Sequence, residues 1–155
     1  MWNKIKPYVY WVVGTLLVGA LASFLTRNNM DVYETLNQPA LAPPGWLFPI
    51  VWTILYILMG IGAAIIYQKG KSIEGSSAIK LYIVQLIFNF LWTIVFFNLG
   101  WYLFAYVWLM ILWVLIIVMI VKFYRISPIA AYMQIPYLLW VTFASYLNLM
   151  IYLLN

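Results

Sequence analysis

Five long apolar runs, separated by four shorter polar connections, divide this chain from end to end. The runs cover about residues 8–24, 46–67, 81–97, 101–122 and 129–154. Each is close to or above the roughly 20 residues that carry a helix across a hydrocarbon core. None has the two-residue alternation of a barrel strand, and open sheet edges cannot survive in lipid, so the spans are predicted to be helices. The predicted fold class is all-α: a polytopic membrane protein, a five transmembrane helix bundle forming a single domain over residues 1–155, with a long loop between helices 1 and 2.

Local signals refine this outline. The first run follows Lys4 and Lys6, and a basic start, an apolar run and Ala20, Leu21, Ala22, Ser23 also fit a secretory signal with its cleavage site. The length of the run favours a retained helix, as do Thr15, Gly19 and Ser23 at i, i+4, i+8, the small-residue spacing that lets membrane helices approach closely. Residues 26–45 carry Arg27, Asn28, Asn29, Asp31, Glu34, Asn37 and Gln38, punctuated by Val32, Tyr33, Leu36, Leu41, Pro43 and Pro44. A packed lid and a solvated surface loop are both open readings of so long a connection. Pro49 is tolerated only in a first turn or as a kink, so the second helix is expected to begin near residues 44–47, and Pro136 is expected to bend the fifth or displace it locally. Asn98, Leu99 and Gly100 leave room only for a tight antiparallel hairpin. The fourth run is apolar almost throughout and reads as a lipid-facing wall.

Composition agrees with a bilayer as the solvent: 68% of residues are hydrophobic and 7% charged, with a mean hydropathy of +1.01. The chain has no Cys and no His, which excludes disulfides, thiolate metal sites, the commonest general base and the usual axial ligand of haem iron. No metal site and no required cofactor are expected; a bound group has to be held by shape. The net charge of +5 does not imply nucleic acid, because the basic residues are scattered between apolar runs. They sort by side instead. Lys4, Lys6, Lys69, Lys71, Lys80, Lys122 and Arg125 fall on one side of a five-span layout and Arg27 alone on the other. The positive-inside rule then predicts a multi-pass cell-membrane protein with a cytoplasmic amino terminus and with the long first loop and the carboxy terminus outside.

Three of the runs carry polar or aromatic stripes: Trp52, Tyr56, Gly60 and Ala63; Gln85, Asn89, Trp92 and Thr93; Tyr137, Trp140, Ala144 and Asn148. Amides at membrane depth must find partners, so these stripes are expected to face inward. Together they fit a pocket for a flat hydrophobic ligand, with aromatic walls for stacking and amide or indole groups to orient its polar edges. The open alternative is a non-binding scaffold in which the amides only join helices. Ordinary catalysis lacks its groups: Asp31, Glu34 and Glu74 lie in connections, and Thr93, Thr142 and Ser145 have no His or Lys beside them to activate a hydroxyl. Redox or photochemistry at a bound pigment is what remains.

Pro39, Pro43, Pro44, Trp46, Phe48, Val51, Trp52, Leu55 and Tyr56, then Gln85, Asn89, Trp92, Phe96 and Phe97, then Pro136, Tyr137, Trp140, Phe143, Ala144, Leu147 and Asn148 resemble the motifs of the tryptophan-rich sensory protein family, also called the translocator protein or peripheral benzodiazepine receptor family. The resemblance covers nearly the whole chain. It implies a five-helix bundle, commonly a homodimer, that binds porphyrins such as protoporphyrin IX and benzodiazepine-type or isoquinoline ligands. The implied pocket comprises Trp52, Tyr56, Asn89, Trp92, Trp140, Phe143, Ala144 and Asn148, capped by Pro43, Pro44 and Trp46. Light-dependent degradation of protoporphyrin is implied as an alternative activity, with porphyrin then substrate rather than ligand. Leu41 stands where many relatives have Trp. The carboxy terminus has no basic residue after Tyr152, so the sterol motif of animal members is incomplete and sterol transport is not expected.

Overall fold

Helix ends in this chain are set by a few residues that supply or withhold backbone partners. Ser72 accepts the Gly75 N–H and starts one helix; Ser127 accepts the Ala130 N–H and starts another, with Pro128 in its first turn. Gly100, at φ 66°, takes the left-handed conformation that closes a helix and turns the chain back. The result, in a computed structural model that describes residues 1–155, is helical throughout: α1 (Trp2–Thr26), α2 (Val32–Thr35), α3 (Leu47–Lys69), α4 (Ile73–Thr93, continued by the π-helical segment Ile94–Leu99), α5 (Tyr102–Ile126), α6 (Pro128–Tyr132) and α7 (Ile135–Leu154). Counting α4 with its π-helical end and α6 with α7, five segments are long and apolar enough to cross a membrane.

The helices outrun the apolar cores that mark them in the sequence. α1 begins at Trp2 and α4 at Ile73, and their extra turns hold Lys4, Lys6, Glu74 and Lys80 on exposed faces. Polar helical turns of this kind stand outside the hydrocarbon, where charge costs little. The fifth segment is broken rather than bent. Pro136 has no N–H for the Tyr132 carbonyl, so α6 ends in a tightened turn in which Gln134 N–H donates to Ala131, and α7 restarts with Pro136 in its first turn. Between α1 and α3, α2 forms a single turn that brings Tyr33 edge-on to Phe48 at 5.1 Å. Tyr33 O–H donates to the Pro43 carbonyl, while the Asn155 side chain accepts from the Asn37 N–H and donates to the Asn37 carbonyl across the same end of the bundle.

α1 packs most extensively on α3, and α5 packs on both α4 and α7. The α1–α3 approach depends on glycine: a Cβ on Gly60 would meet the Val12 backbone at 2.6 Å. On α1 the buried stripe is Thr15, Gly19, Ala22 and Thr26, and Ser23 is exposed. A 3.6-residue helix returns to the same face after seven and eleven residues but overshoots it after eight, which is why the small-residue spacing Thr15, Gly19, Ser23 does not describe the contact. α5 is more than a wall. Ala105, Leu109, Leu112, Ile116, Met119 and Phe123 are fully buried along one stripe, while Phe104, Val107, Ile111, Val114 and Val118 face outward. Its uniform apolarity conceals that division in the sequence.

Gln68 bonds the Lys4 carbonyl and Lys122 bonds Ser77, so the amino terminus, the α3–α4 connection and the α5–α6 turn share one end. Asn29 and Asn98 bond each other at 2.7 Å at the other end. Substituting Gly60→Ala is expected to lower stability by about 1–3 kcal/mol through overpacking. Gly14→Ala, which meets nothing within 4 Å, is expected to change it by less than about 0.5 kcal/mol. Thermal unfolding in detergent checks both.

Candidate functional site

Phe48, Trp52 and Tyr56 recur every four residues on α3, so all three project inward, and the Trp52 and Tyr56 rings stack at 5.4 Å. Trp140 of α7 meets Phe48 at 5.8 Å and Trp52 edge-on at 6.5 Å. α4 adds Trp92 and Phe96, and α7 adds Ala144, Leu147 and Asn148. Against these rings α1 sets Gly19, Ala22 and Thr26, small enough that no α1 side chain fills the space; a Cβ on Gly19 would strike the Tyr56 ring. The hollow left between α1, α3, α4 and α7 is a cavity of about 350 Å³, within the roughly 300–1,000 Å³ usual for small-molecule sites. No charged residue lines it.

The polar groups around the cavity are largely consumed by the protein. Tyr56 O–H donates to Asn89 Oδ1 at 3.2 Å, Asn89 Nδ2 donates to the Tyr137 oxygen at 2.8 Å, and Tyr137 O–H donates to Gln85 Oε1 at 2.7 Å. This one-directional chain ties α3, α4 and α7 together beneath the cavity. A second link runs from Trp92 Nε1 to Asn148 Oδ1 at 3.0 Å and from Asn148 Nδ2 to the Tyr102 carbonyl at 2.8 Å. Thr53 and Thr93 hydroxyls are returned to their own helices. Trp140 Nε1 is different: it is buried in the cavity wall and has no protein acceptor.

Of the residues singled out from sequence, Trp52, Tyr56, Trp92, Trp140, Ala144 and Asn148 come together on the lining. Asn89 stands behind it, spent on the two tyrosines. Phe143 is half-buried and packs on Trp140 at 5.6 Å without reaching the cavity. The cover also differs from the predicted one. Trp46 is 68% exposed at the start of α3, and neither Pro43 nor Pro44 lines the cavity; Pro43 contributes the carbonyl that holds Tyr33. Met30 and Tyr33 close this end instead, because the single turn of α2 swings Tyr33 inward. Burial, reinforced by the neighbouring Glu34, raises the Tyr33 phenol above its usual 10, so it remains a neutral donor to Pro43 at any physiological pH. Phe48 was legible as the residue one turn before Trp52. The contribution of α1, a wall made by what is missing, had only the small residues as its signal.

Five apolar helical segments, four of them enclosing an uncharged, ring-lined hollow, define a polytopic membrane protein with an internal cavity. The TspO/MBR family model matches residues 6–154, and the chain belongs to that family. It is 42% identical to the tryptophan-rich protein TspO of Chlorobaculum tepidum over 142 residues, covering 90% of each chain, and 38% identical to that of Archaeoglobus fulgidus over 98% of this chain and 99% of the relative. The translocator protein of Sus scrofa is 35% identical over 88% of this chain and 85% of its own.

The tyrosine and amide chain beneath the cavity gives a direct test. Tyr137→Phe strands both Asn89 Nδ2 and Gln85 Oε1 and is expected to cost about 1–3 kcal/mol, against about 0.6 kcal/mol for Tyr56→Phe, which removes one terminal donor. Chemical or thermal unfolding of the purified variants measures the difference.

Proposed function

We propose that this protein is a membrane receptor or carrier that binds porphyrins, protoporphyrin IX in particular, and other flat hydrophobic molecules in the cavity between α1, α3, α4 and α7. The observation that carries this reading is the lining itself: Trp52, Tyr56, Trp92 and Trp140 offer ring faces and edges around an uncharged space. A planar macrocycle matches such walls by stacking. Its carboxylates have no cation to meet inside and belong at the mouth. The names of the relatives, tryptophan-rich sensory protein and translocator protein, accord with sensing or carriage of a bound molecule. The ligand site is taken as Trp52, Tyr56, Trp92, Trp140, Ala144 and Asn148, with Asn89 holding Tyr56 in place.

The homodimer implied by the family motifs is retained as the working unit. The amino terminus is assigned to the cytoplasm, because Lys4, Lys69, Lys71, Lys122 and Arg125 gather at one end of the bundle and Arg27 is the basic residue at the other.

Titration with protoporphyrin IX, followed by tryptophan quenching, tests the site. Trp140→Phe is expected to weaken binding about five- to tenfold, equivalent to roughly 1–1.4 kcal/mol, by removing part of the ring wall. Unchanged affinity in Trp140→Phe and Trp52→Phe together discards the site. Repeating the titration under illumination detects turnover, seen as a product distinct from that formed with denatured protein. For the orientation, alkaline phosphatase fused after Asn155 is expected to be active in intact bacterial cells, and activity only from a fusion before Met1 reverses the assignment.

A further inference from the structure

α1 and α3 are closest where Gly60 meets the Val12 backbone and where Gly19 lies against the Tyr56 ring. Toward the end covered by Tyr33 the pair no longer seals the cavity. Ala20 and Ser23 of α1 and Pro49 and Thr53 of α3 line the cavity and are exposed, and Ala20 and Thr53 stand about 100° around their helices from Gly19 and Trp52, toward the exposed faces of Phe24 and Ile54. A side chain that belongs to both surfaces marks a gap in the wall between them. Larger neighbours on the same helices, Phe24, Ile50 and Ile54, splay outward and do not cover it.

The depth of the gap decides what it opens onto. Ala20 precedes the end of α1, and Thr53 follows the start of α3, by six positions, or about 9 Å along each axis. α1, with 25 residues, is about 37 Å long, only some 7 Å longer than a typical hydrocarbon core of about 30 Å. Its last turn therefore overhangs by a few Å, and Ala20 lies inside the acyl-chain region. The rim is also suited to lipid, since the Thr53 hydroxyl donates to the Pro49 carbonyl of its own helix at 2.7 Å. On the aqueous side, by contrast, Tyr33 is buried and held by Pro43 and Phe48.

Resting on the ligand-binding reading above, we infer that the α1–α3 gap is a lateral portal through which a flat hydrophobic ligand passes between the acyl chains and the cavity without crossing the aqueous cover. A ligand of this kind partitions into the bilayer, so its concentration at the portal far exceeds that in water. The portal residues set the rate of exchange, and the ring-lined interior sets the affinity.

The chain has no cysteine, so a single introduced thiol can be modified selectively. In lipid nanodiscs, Ala20→Cys carrying an N-benzylmaleimide adduct is compared with the same adduct on Leu21→Cys, a lipid-exposed position off the cavity, and on Asp31→Cys, at the aqueous cover. Stopped-flow quenching by protoporphyrin IX reads both rate constants. The expected result is at least tenfold slower association and dissociation for the Ala20 adduct, and rates within twofold of the parent for the other two. Thr53→Trp, unlabelled, is expected to slow both rates in the same way. Unchanged rates at both Ala20 and Thr53, faster dissociation alone, or slowing confined to the Asp31 adduct overturns the portal and leaves the binding site standing. Absence of quenching in the unmodified parent overturns the binding site and the portal with it.

Discussion

Lipid supplies no hydrogen-bond partners, and the interior of this bundle is arranged around that fact. The run from Tyr56 through Asn89 and Tyr137 to Gln85 answers it by having each side chain satisfy the next across α3, α4 and α7. Tyr56 O–H, Asn89 Nδ2 and Tyr137 O–H each donate to the next residue, so the three helices are held in one rotational setting, and Gln85 Nε2 ends the run without an acceptor. That setting turns Trp52, Trp92 and Trp140 toward a common space. The amides thus act as joints and as wall supports at once. The alternatives posed by the sequence, amides as glue and amides as part of a pocket, are two aspects of one arrangement.

The cavity exists because α1 does not match the bulk of the other three helices. Where α3, α4 and α7 present indoles and phenyl rings, α1 presents Gly19, Ala22 and Thr26, and the volume a Leu or Phe would occupy stays empty. A hollow of this kind lacks dispersion contacts across it and is tolerated only where the walls are rigid. Rigidity comes from the stacked Trp52 and Tyr56 rings, from the Trp92 to Asn148 link and from Gly60 locking α1 to α3 at the far side. The same small residues leave the wall thin at Ala20 and Ser23, so one feature of α1 accounts for both the space and its lateral opening.

Membership of the TspO/MBR family and the observed cavity bear on different questions. The family match, extending from residue 6 to residue 154, defines the kind of membrane protein. The cavity adds what the family match does not: a space walled by rings, with no charged residue on its lining. The cover of Met30 and Tyr33, with Trp46 facing away, makes the end of the site depend on α2 rather than on the proline pair.

Features whose cause is local, or is imposed by the solvent, can be read directly from the residues. Apolar run length dictates five helical segments, the spacing of Phe48, Trp52 and Tyr56 gives one aromatic face, and Pro136 marks a discontinuity in the fifth segment. Tertiary structure alone decided what depends on a partner helix. Uniform apolarity hid the inward stripe of α5, because every face of that helix is acceptable to lipid and only packing distinguishes them. Periodicity put Asn89 inward without revealing that two tyrosines from other helices would consume its amide. Nor could it turn Tyr33 over the cavity and Trp46 away, since a single helical turn in a polar connection takes its direction from what it packs against.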